Sequence, residues 1–387
     1  MKILVLSKRQ YTGKDLLDDR FGRLRELPLE LAKLGHEVTA LCLSYRPKKE
    51  GRIADTSQTL DAHVCWHSLN LGFLLAPGLI YYFLKAYKLV RESKPDLVWA
   101  CSDSFHAIFG VCLGKYFQTK CIVDLYDNFE SFRSTRIPGV LPLFKRAVRN
   151  ADGVTCVSQR LKDRIVRNYQ PQGPAILLHN AVRPDLFFSQ DRNDCRKRLG
   201  LPEDVKIIGT AGALYANRGI DVLFRGFELL APDEKGLHLA IAGLRDRRTH
   251  IPKGPRIHDL GVLPLEKVPI FFNALDVAVI CNRDSSFGRY SFPQKAYEII
   301  ACRVPLIAAS VGTMRDLLAP YPQCLFEPED PESFAGAARL QLQNPVIANL
   351  PAPAWSDAAK HLEDFFESVV NGAPGPQSLQ ASLLSKD

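Results

Sequence analysis

Two glycines and an arginine follow a buried-strand pattern in the middle of the chain. Residues 206–219 read KIIGTAGALYANRG, so Gly212 ends the apolar run and Arg218 precedes Gly219. A glycine-rich turn lets backbone N–H groups approach a phosphate, and a nearby cation neutralises the phosphate charge. Arginine suits this task because its guanidinium fork matches phosphate oxygens. The segment therefore predicts a turn that binds a pyrophosphate group.

A second candidate segment follows the first apolar run of the chain. The loop over residues 11–22 contains two glycines and two cations, which are Gly13, Lys14, Arg20 and Gly22. Glycine lets a backbone approach a ligand closely. A loop that follows a strand of a parallel sheet overhangs the edge where ligands bind. We therefore expect this loop to contact a substrate, with a solvated surface loop as the alternative.

The elements that position these residues alternate between short apolar runs and helical patterns, which is the signature of an α/β domain with a parallel sheet. In the first half, the runs that predict buried strands are 3–7, 37–43, 96–102, 120–127, 153–158 and 175–182. The pattern then restarts, with runs at 206–212, 238–243, 256–262, 277–281 and 304–309. The restart predicts two Rossmann-like domains.

The domain boundary is expected in the polar stretch 182–205. We assign residues 1–185 to the first domain and 186–354 to the second. A helix over 355–371 is expected to pack back on the first domain, and the Pro-, Gly- and Ser-rich tail 372–387 is expected to be disordered. Ligands bind at the carboxyl ends of parallel strands, so we expect one cleft between the two domains.

Composition excludes several classes of protein. The net charge is +8, but there is no long Lys/Arg block, so a nucleic-acid-binding arm is not expected. The 10 cysteines include no CxxC pair and no metal-type spacing, which favours buried thiols in a reducing cytoplasm. The opening MKILVLS lacks the features of a signal peptide. The apolar stretch 69–84 is too short and too interrupted to span a bilayer.

Four longer segments resemble the retaining GT-B glycosyltransferase superfamily, known as glycosyl transferases group 1, with a family 4-like first half. In the first half they are LAKLGHEVTAL and DGVTCVSQRLKDRIV with ILLHNAV; in the second half they are TAGALYANRGIDVLFRGF and FGRYSFPQKAYEIIACRVPLIAASVGTMRDLL. The last is the most specific, because it keeps P-x-K-x-x-E-x-x-A-C-x-x-P before a buried strand. The resemblance covers about residues 1–370 and implies the GT-B fold.

The resemblance implies a nucleotide-sugar site in the second domain. Glu298 stands where family members bind the ribose hydroxyls, and a carboxylate suits this role because it accepts two hydrogen bonds from a vicinal diol. Lys295 is a candidate for the phosphate. Tyr290 stands where many relatives carry the first of two glutamates, so the sugar contact differs here. The remaining candidates for the donor phosphate or sugar are Arg289, Tyr290, Ser291, Gly312 and Thr313.

For the acceptor, the resemblance points to the first domain. Relatives place a histidine or aspartate near the end of the 120–127 run, which makes Asp127 the leading candidate for a carboxylate beside the acceptor hydroxyl and Asp124 the second. His106 is a further candidate, with a structural role as its alternative. Asn180 is expected to fix the N-A-V turn at the end of the 175–182 run and to line the cleft.

The implied reaction moves a sugar from a nucleotide-sugar to a glycan or lipid-linked acceptor with retention of configuration. The leaving pyrophosphate takes the acceptor proton, and Arg218 and Lys295 stabilise its charge. No acidic cluster is placed to hold a metal, so we expect no metal site and no cofactor beyond the nucleotide-sugar substrate. Bacterial surface-polysaccharide biosynthesis, such as that of lipopolysaccharide, is the implied setting.

Three alternatives stay open to different degrees. A nucleotide-sugar epimerase of the same fold would need paired acids near the sugar ring, and no such pair is evident. A non-catalytic partner subunit is favoured by Tyr290 but opposed by Glu298, Lys295 and Arg218. A dehydrogenase is disfavoured, because G-x-G-x-x-G is missing after the first strand.

Two apolar and basic segments in the first half leave membrane contact open. They are LGFLLAPGLIYYFLKAYKLVRE and IPGVLPLFKRAVRN. One interpretation is a peripheral surface for anionic lipid. The other is a pair of core helices with exposed Lys and Arg.

Overall fold

The computed structural model describes residues 1–11, 14–54, 63–73 and 75–372. The chain divides into two compact units. The first unit holds Met1–Asn180 and the segment from Trp355 onward, and the second holds Ala181–Ala354. Gly13 and, apart from Gly372, the predicted disordered tail lie outside the described residues.

The first unit is built on a mostly parallel sheet. Its strands are β1 (Lys2–Lys8), β2 (Gln10–Tyr11), β3 (Lys14–Asp15), β4 (Glu37–Ser44), β5 (Gly51–Ala54), β6 (Val64–Asn70), β7 (Leu97–Ala100), β8 (Lys120–Leu125), β9 (Gly153–Cys156) and β10 (Ala175–Leu177). Strands β2 and β3 form an antiparallel hairpin. The others form a sheet in the order β10-β9-β8-β7-β1-β4-β6-β5, in which only β5 runs antiparallel to its neighbour.

Strand β6 is the one element of this sheet's parallel part that the sequence analysis does not include. Its sequence is VCWHSLN, in which Trp66 is fully buried and His67 is half-buried. Because β6 lies next to the edge strand, it shows alternation rather than the continuous apolar run of a central parallel strand. The strands that were predicted over 3–7 and 37–43 are both central.

The helices of the first unit include α1 (Arg23–Lys33), α2 (Leu75–Ser93), α3 (Ser104–Phe117), α4 (Val140–Arg149) and α5 (Gln159–Tyr169). Gly35, which has φ +92°, follows the C-cap of helix α1. The N–H of His36 donates to the carbonyl of Leu31, and this closes the helix with a left-handed glycine. Among the described residues, no helix has both the length and the apolar composition that crossing a bilayer requires.

The second unit contains an all-parallel sheet. Its strands are β11 (Lys206–Ala211), β12 (Leu237–Ala242), β13 (Ile257–Asp259), β14 (Val277–Ile280), β15 (Leu306–Ala309) and β16 (Leu325–Phe326), in the order β13-β12-β11-β14-β15-β16. Its helices include α6 (Arg192–Leu199), α7 (Ile220–Leu230), α8 (Val268–Asn273), α9 (Lys295–Ala301), α10 (Thr313–Leu317) and α11 (Pro331–Gln343).

Both sheets contain a point where the strand order reverses. In the first unit the chain leaves β1 for β4 on one side and later returns to β7 on the other side. In the second unit β11 plays the same part between β12 and β14. Ligands of open α/β sheets bind outside the carboxyl ends of the strands at such points. The loops that follow β1, β7, β11 and β14 are therefore the expected positions of ligand-binding residues.

The last helix, α12 (Trp355–Asn371), packs in the first unit against α1 and β8. The ring of Phe366 lies 5.6 Å from that of Trp99, edge to face. Glu363 Oε1 lies 2.8 Å from Nε2 of the buried His36, which follows α1. Helix α12 thus contributes apolar surface to the core of a unit from which it is distant in sequence.

We expect two glycine-to-alanine changes in the second unit to have opposite effects on the free energy of unfolding. A Cβ atom at Gly226 in α7 would lie 2.1 Å from the ring of Phe334 in α11, whereas a Cβ atom at the exposed Gly336 meets no atom within 4 Å. Gly226→Ala should destabilise the unit by about 1–3 kcal/mol through overpacking. The matched control Gly336→Ala should stabilise it by about 0.5–1 kcal/mol through helix propensity. Urea unfolding measures both, and equal effects would contradict the described packing of α7 on α11.

Candidate functional site

The predicted residues of the second unit gather at the carboxyl ends of three neighbouring strands. Gly212 directly follows β11, the loop 281–294 follows β14, and Gly312 comes three residues after β15. These three strands are adjacent in the order β11-β14-β15, so their loops share one edge of the sheet. We call this group of residues the donor edge.

A close backbone contact lies at the centre of the donor edge. Gly212 has φ +120° and Gly243, after β12, has φ +140°. A Cβ atom at Gly243 would lie 1.7 Å from the carbonyl oxygen of Gly212, so only glycine permits this approach. Gly212 itself is exposed, and the nearest atom that its Cβ would meet is Lys295 Nζ at 3.8 Å. The backbone is therefore open to a ligand beside a cation.

Lys295 is the first residue of α9, and its ammonium group points back to β11. Nζ donates to the hydroxyl oxygen of Thr210 at 3.3 Å and to the carbonyl oxygen of Ala211 at 3.1 Å. Burial lowers the pKa of Lys295 below its ordinary value, and nearby Arg218 acts in the same direction. An ammonium group has three N–H donors. With two of them directed at described residues, the third can serve a bound anion.

Glu298 lies one helical turn after Lys295 and is 5% exposed. The side-chain amide of Gln294 donates to its Oε1 at 2.9 Å. A carboxylate has about four lone-pair positions, so it can accept hydrogen bonds from several donors at once. Gln294 is a site residue that the sequence analysis missed, although its position four residues before Glu298 is a local signal that could have identified it.

The guanidinium group of Arg218 lies over an aromatic ring. Its guanidinium carbon is 3.5 Å from the centroid of Phe287, in cation–π geometry. The arginine ends a single 3-10 turn, and Gly219, with φ +76°, is the N-cap of α7. Arg283 holds this turn, because its Nε donates to the carbonyl of Ala216 at 3.0 Å. Arg283 and Phe287 are also missed by the sequence analysis.

Arg289 is engaged within its own loop. Its guanidinium group donates to both carboxylate oxygens of Asp284, at 2.5 and 2.9 Å, and both side chains are exposed. This ion pair lowers the pKa of the Asp284 carboxyl and raises the pKa of Arg289. The neighbouring Tyr290 is half-buried, and its N–H donates to the carbonyl of Phe287. To bind a ligand, Arg289 would have to replace its ion pair with Asp284 by one with an anionic group of the ligand.

The last three predicted donor residues stabilise the loop conformation. The Thr313 hydroxyl donates to the carbonyl of Ser291 at 3.0 Å, and both residues are buried. Gly312 has φ +54°, and a Cβ atom there would lie 2.6 Å from the carbonyl oxygen of Arg289. Ser291 and Thr313 therefore join the loop after β14 to the start of α10, and Gly312 allows their approach.

In the first unit, the predicted substrate loop is held by a buried arginine. Arg9 is 1% exposed, and its Nε donates to both carboxylate oxygens of Asp15 at 2.8 Å. A Cβ atom at Gly22, where φ is +91°, would lie 2.4 Å from the ring of Tyr11. The predicted cations lie on this anchored loop, with Lys14 half-buried in β3 and Arg20 exposed.

Asp124 and Asn180 meet in one buried network around Arg23, a residue absent from the predicted set. Arg23 Nη2 donates to Asp124 Oδ1 at 2.9 Å, and both side chains are 0% exposed. Arg23 Nη1 donates to the amide oxygen of Asn180 at 3.2 Å, and the Thr155 hydroxyl donates to Asp124 at 2.6 Å. Burial raises the pKa of Asp124, while Arg23 opposes the shift. These contacts give Asp124 and Asn180 a role in joining α1 to β8 and β10.

His106 lies inside α3, 2% exposed, with its Nδ1 2.8 Å from Asp103 Oδ1. Asp103 also caps α3, and it accepts a hydrogen bond from the Tyr45 hydroxyl at 3.0 Å. Burial alone would raise the pKa of the Asp103 carboxyl, but the contact with His106 holds this pKa below its ordinary value.

Asp127 lies two residues after β8 and is half-buried. Its carboxylate accepts the N–H of Asn128 at 2.8 Å.

We expect Asp124→Asn to destabilise the first unit by about 3–5 kcal/mol, because the change leaves the buried Arg23 charge without a counter-charge. Glu92→Gln, at an exposed i,i+4 pair with Lys88, is the control and should cost less than about 1 kcal/mol. Urea unfolding followed by circular dichroism compares the two. Full stability of Asp124→Asn would contradict the structural role.

Two family sequence models match the chain. The model described as Glycosyltransferase Family 4 matches residues 23–186, and the model described as Glycosyl transferases group 1 matches residues 205–344. TuaC of Bacillus subtilis strain 168, a glycosyltransferase assigned to teichuronic acid biosynthesis, is 25% identical over 83% of this chain and 85% of its own. D-inositol 3-phosphate glycosyltransferase 1 of Catenulispora acidiphila is 27% identical over 51% of this chain; the match spans 52%, about half, of that relative.

Solved structures resemble the whole chain. Sucrose-phosphate synthase of Thermosynechococcus elongatus superposes with a TM-score of 0.72 at 19% identity, covering 100% of this chain and 98% of that one. HepE of Anabaena in complex with UDP-glucose gives a TM-score of 0.66 at 16% identity, with 100% of both chains covered. At these identities the likeness shows the fold.

Proposed function

Because the chain belongs to the GT-B glycosyltransferase superfamily, we propose that it transfers a sugar from a nucleotide-sugar to a glycan or lipid-linked acceptor, with retention of configuration. The observation that carries the proposal is the donor edge, where Arg218, Lys295 and Glu298 lie around the open backbone of Gly212. Two cations beside a carboxylate match the diphosphate and ribose of a nucleotide. The donor then binds to the second unit, and the acceptor binds to the first.

We propose a uridine diphosphate sugar as the donor. HepE, which shares the fold, binds UDP-glucose. On this chain, Glu298 would accept hydrogen bonds from the ribose hydroxyls, and Lys295 would donate its third N–H to a phosphate oxygen. Arg218, stacked on Phe287, would neutralise the diphosphate from the other side. Ser291, Thr313 and Gly312 support the loop that meets the sugar.

We propose that the transfer is a same-face substitution. The bond from the anomeric carbon to the diphosphate oxygen breaks, and the acceptor hydroxyl oxygen forms the new bond on the same face. The acceptor proton passes to the leaving diphosphate, whose charge Arg218 and Lys295 stabilise. Asp127 orients the acceptor hydroxyl. With two protein cations at the diphosphate, this reaction needs neither a metal ion nor a further cofactor.

We expect Glu298→Ala to weaken UDP binding about 10- to 100-fold, because hydrogen bonds to a charged group contribute about 1.5–3 kcal/mol each. Glu228→Ala, at an exposed position of α7 in the same unit, is the matched control and should bind UDP like the wild type. Isothermal calorimetry with UDP and UDP-glucose measures both. Equal affinities of Glu298→Ala and the wild type would remove Glu298 from the ribose contact.

The same preparation separates the proposed activity from its alternatives. UDP-sugar binding without transfer to any glycan or lipid acceptor would favour a non-catalytic partner subunit. Conversion of the sugar in the absence of an acceptor would favour an epimerase. If the reaction needs no metal ion, the rate of sugar transfer should be unchanged in the presence of a chelator.

We further propose that the first unit contacts the cytoplasmic face of an anionic membrane. Helix α2 buries Tyr82 and Ala86 but exposes large apolar side chains on its other side. The large apolar side chains that are exposed on α2, on the adjoining α3 and just before α2 form what we call the α2 surface; they are Phe73, Ile80, Tyr81, Phe83, Leu84, Tyr87 and Tyr116, from 37% to 99% exposed. An apolar patch of this kind marks an interaction site.

The basic residues beside the α2 surface indicate which kind of partner it binds. Ring contacts join the two helices, with Phe83 and Phe109 centroids 4.2 Å apart and Tyr87 and Tyr116 centroids 5.8 Å apart. The basic residues on these helices are Lys85, Lys88, Arg91 and Lys115, against one acidic residue, Glu92. Tyrosine and phenylalanine flanked by lysine and arginine are typical of surfaces that lie at a lipid headgroup layer. This supports biosynthesis of a surface polysaccharide on a lipid-linked acceptor.

We expect the wild type to bind vesicles that contain phosphatidylglycerol but not pure phosphatidylcholine vesicles, with binding weakened by salt. The double change Ile80→Ser and Leu84→Ser should reduce binding about tenfold or more, because each buried side chain contributes roughly 1.5–3 kcal/mol. Val166→Ser, an exposed position on α5, is the control and should bind normally. Vesicle sedimentation measures the bound fraction, and equal binding of all three proteins would contradict the α2 surface.

A further inference from the structure

Lys8 is a cation at the point where the strand order of the first unit reverses. It is the last residue of β1, next to the carboxyl end of β7. Its ammonium nitrogen lies 5.2 Å from the ring centroid of Phe132 and 5.8 Å from that of Tyr126. In the part of the chain that the structure describes, no residue accepts a hydrogen bond from it. An ammonium group in such a half-buried place carries three donors for a ligand.

A residue in a strained backbone conformation contacts Lys8. Ser102, two residues after β7, has φ +93°, which a residue with a side chain rarely adopts. Its hydroxyl oxygen accepts the backbone N–H of Lys8 at 2.9 Å, and its carbonyl oxygen accepts the Tyr126 hydroxyl at 2.9 Å. One strained residue thus fixes both the backbone of Lys8 and an aromatic ring beside its ammonium group. Strain of this kind is typical of functional sites.

Two carboxylates balance the charge of Lys8 without taking its hydrogen bonds. Burial lowers the pKa of Lys8, and the charges of Asp103 and Asp127 oppose the shift. Asp103 uses its oxygens for His106, Tyr45 and the N-terminus of α3. Asp127 is the carboxylate proposed above to orient the acceptor hydroxyl. A phosphate beside Lys8 would therefore be a third negative charge in this place, whereas a neutral hydroxyl oxygen adds none.

We propose that Lys8 donates a hydrogen bond to a hydroxyl oxygen of a neutral sugar in the acceptor, next to Asp127. The inference rests on the proposed function and names the acceptor group that this site selects. A donor and a carboxylate side by side suit neighbouring hydroxyls, since each hydroxyl both accepts and donates. The half-buried ring of Phe132 provides an apolar surface for the sugar. The site thus selects a sugar hydroxyl over a phosphorylated group.

The test is protection of Lys8 from acetylation in the full chain saturated with UDP. The wild-type protein is treated with sulfosuccinimidyl acetate, and modification of Lys8 is followed by peptide mass spectrometry, with exposed Lys33 as internal control. The probes are the methyl glycosides of glucose, galactose, mannose and N-acetylglucosamine, and inorganic phosphate at equal ionic strength. At a glycoside concentration about four times its Kd, modification of Lys8 should slow about fivefold while that of Lys33 stays constant.

Protection by phosphate and by none of the glycosides would overturn the proposal and make Lys8 an anion site. Protection by neither would remove Lys8 from the acceptor site. A calorimetric UDP titration of the same sample keeps these results apart from a failure of the proposed function, which would appear as absence of UDP binding. As a second measurement, Lys8→Met should weaken the protecting glycoside about tenfold, whereas Lys33→Met should not.

Discussion

The backbone contact between Gly212 and Gly243 is the constraint around which the donor edge is arranged. Because neither residue has a Cβ atom, the loops after β11 and β12 approach within van der Waals distance, and the exposed backbone of Gly212 lies beside Lys295. Arg218 can then approach from the 3-10 turn that follows, and Glu298 from one turn further along α9. A side chain at Gly243 would separate these loops and move the cations apart. The chemistry of the second unit therefore depends on a place where a side chain is missing.

The charged residues of the first unit have a different role, because many of them stabilise the fold through buried ion pairs. Arg23 is buried with Asp124, and Arg9 is buried with Asp15. Buried pairs of this kind offset desolvation only when their geometry is good, so they fix the relative placement of the strands and loops that they join. Lys8 is different, because among the described residues it belongs to no ion pair. This contrast is what separates structural charges from candidates for substrate contact.

Most of the parallel strands, although not β6 and β16, and the positions of Lys295 and Glu298 on one helix could be predicted from sequence, because both depend on local patterns. Continuous apolar runs mark central strands, and the spacing of Lys295 and Glu298 places them one helical turn apart. Arg23 could not be predicted in this way, because its partner Asp124 is 101 positions away in the chain. The same is true of Arg283, whose role depends on a turn more than sixty positions earlier. Asp124 was placed on the acceptor side from its neighbours in sequence, while its contacts depend on the packing of α1.

Helix α12 makes the first unit a discontinuous domain, with the second unit inserted between its two parts. During synthesis on the ribosome, Ala181–Ala354 emerges as one uninterrupted stretch, so it can finish folding while the first unit still lacks its last helix. Until α12 is made, Trp99 and the surface around Gly153 have no cover from Phe366 and Phe365. The unit whose synthesis begins first is thus the last to be completed. A chain that stops before Trp355 would leave the ribosome with an open core in the unit that contains Lys8.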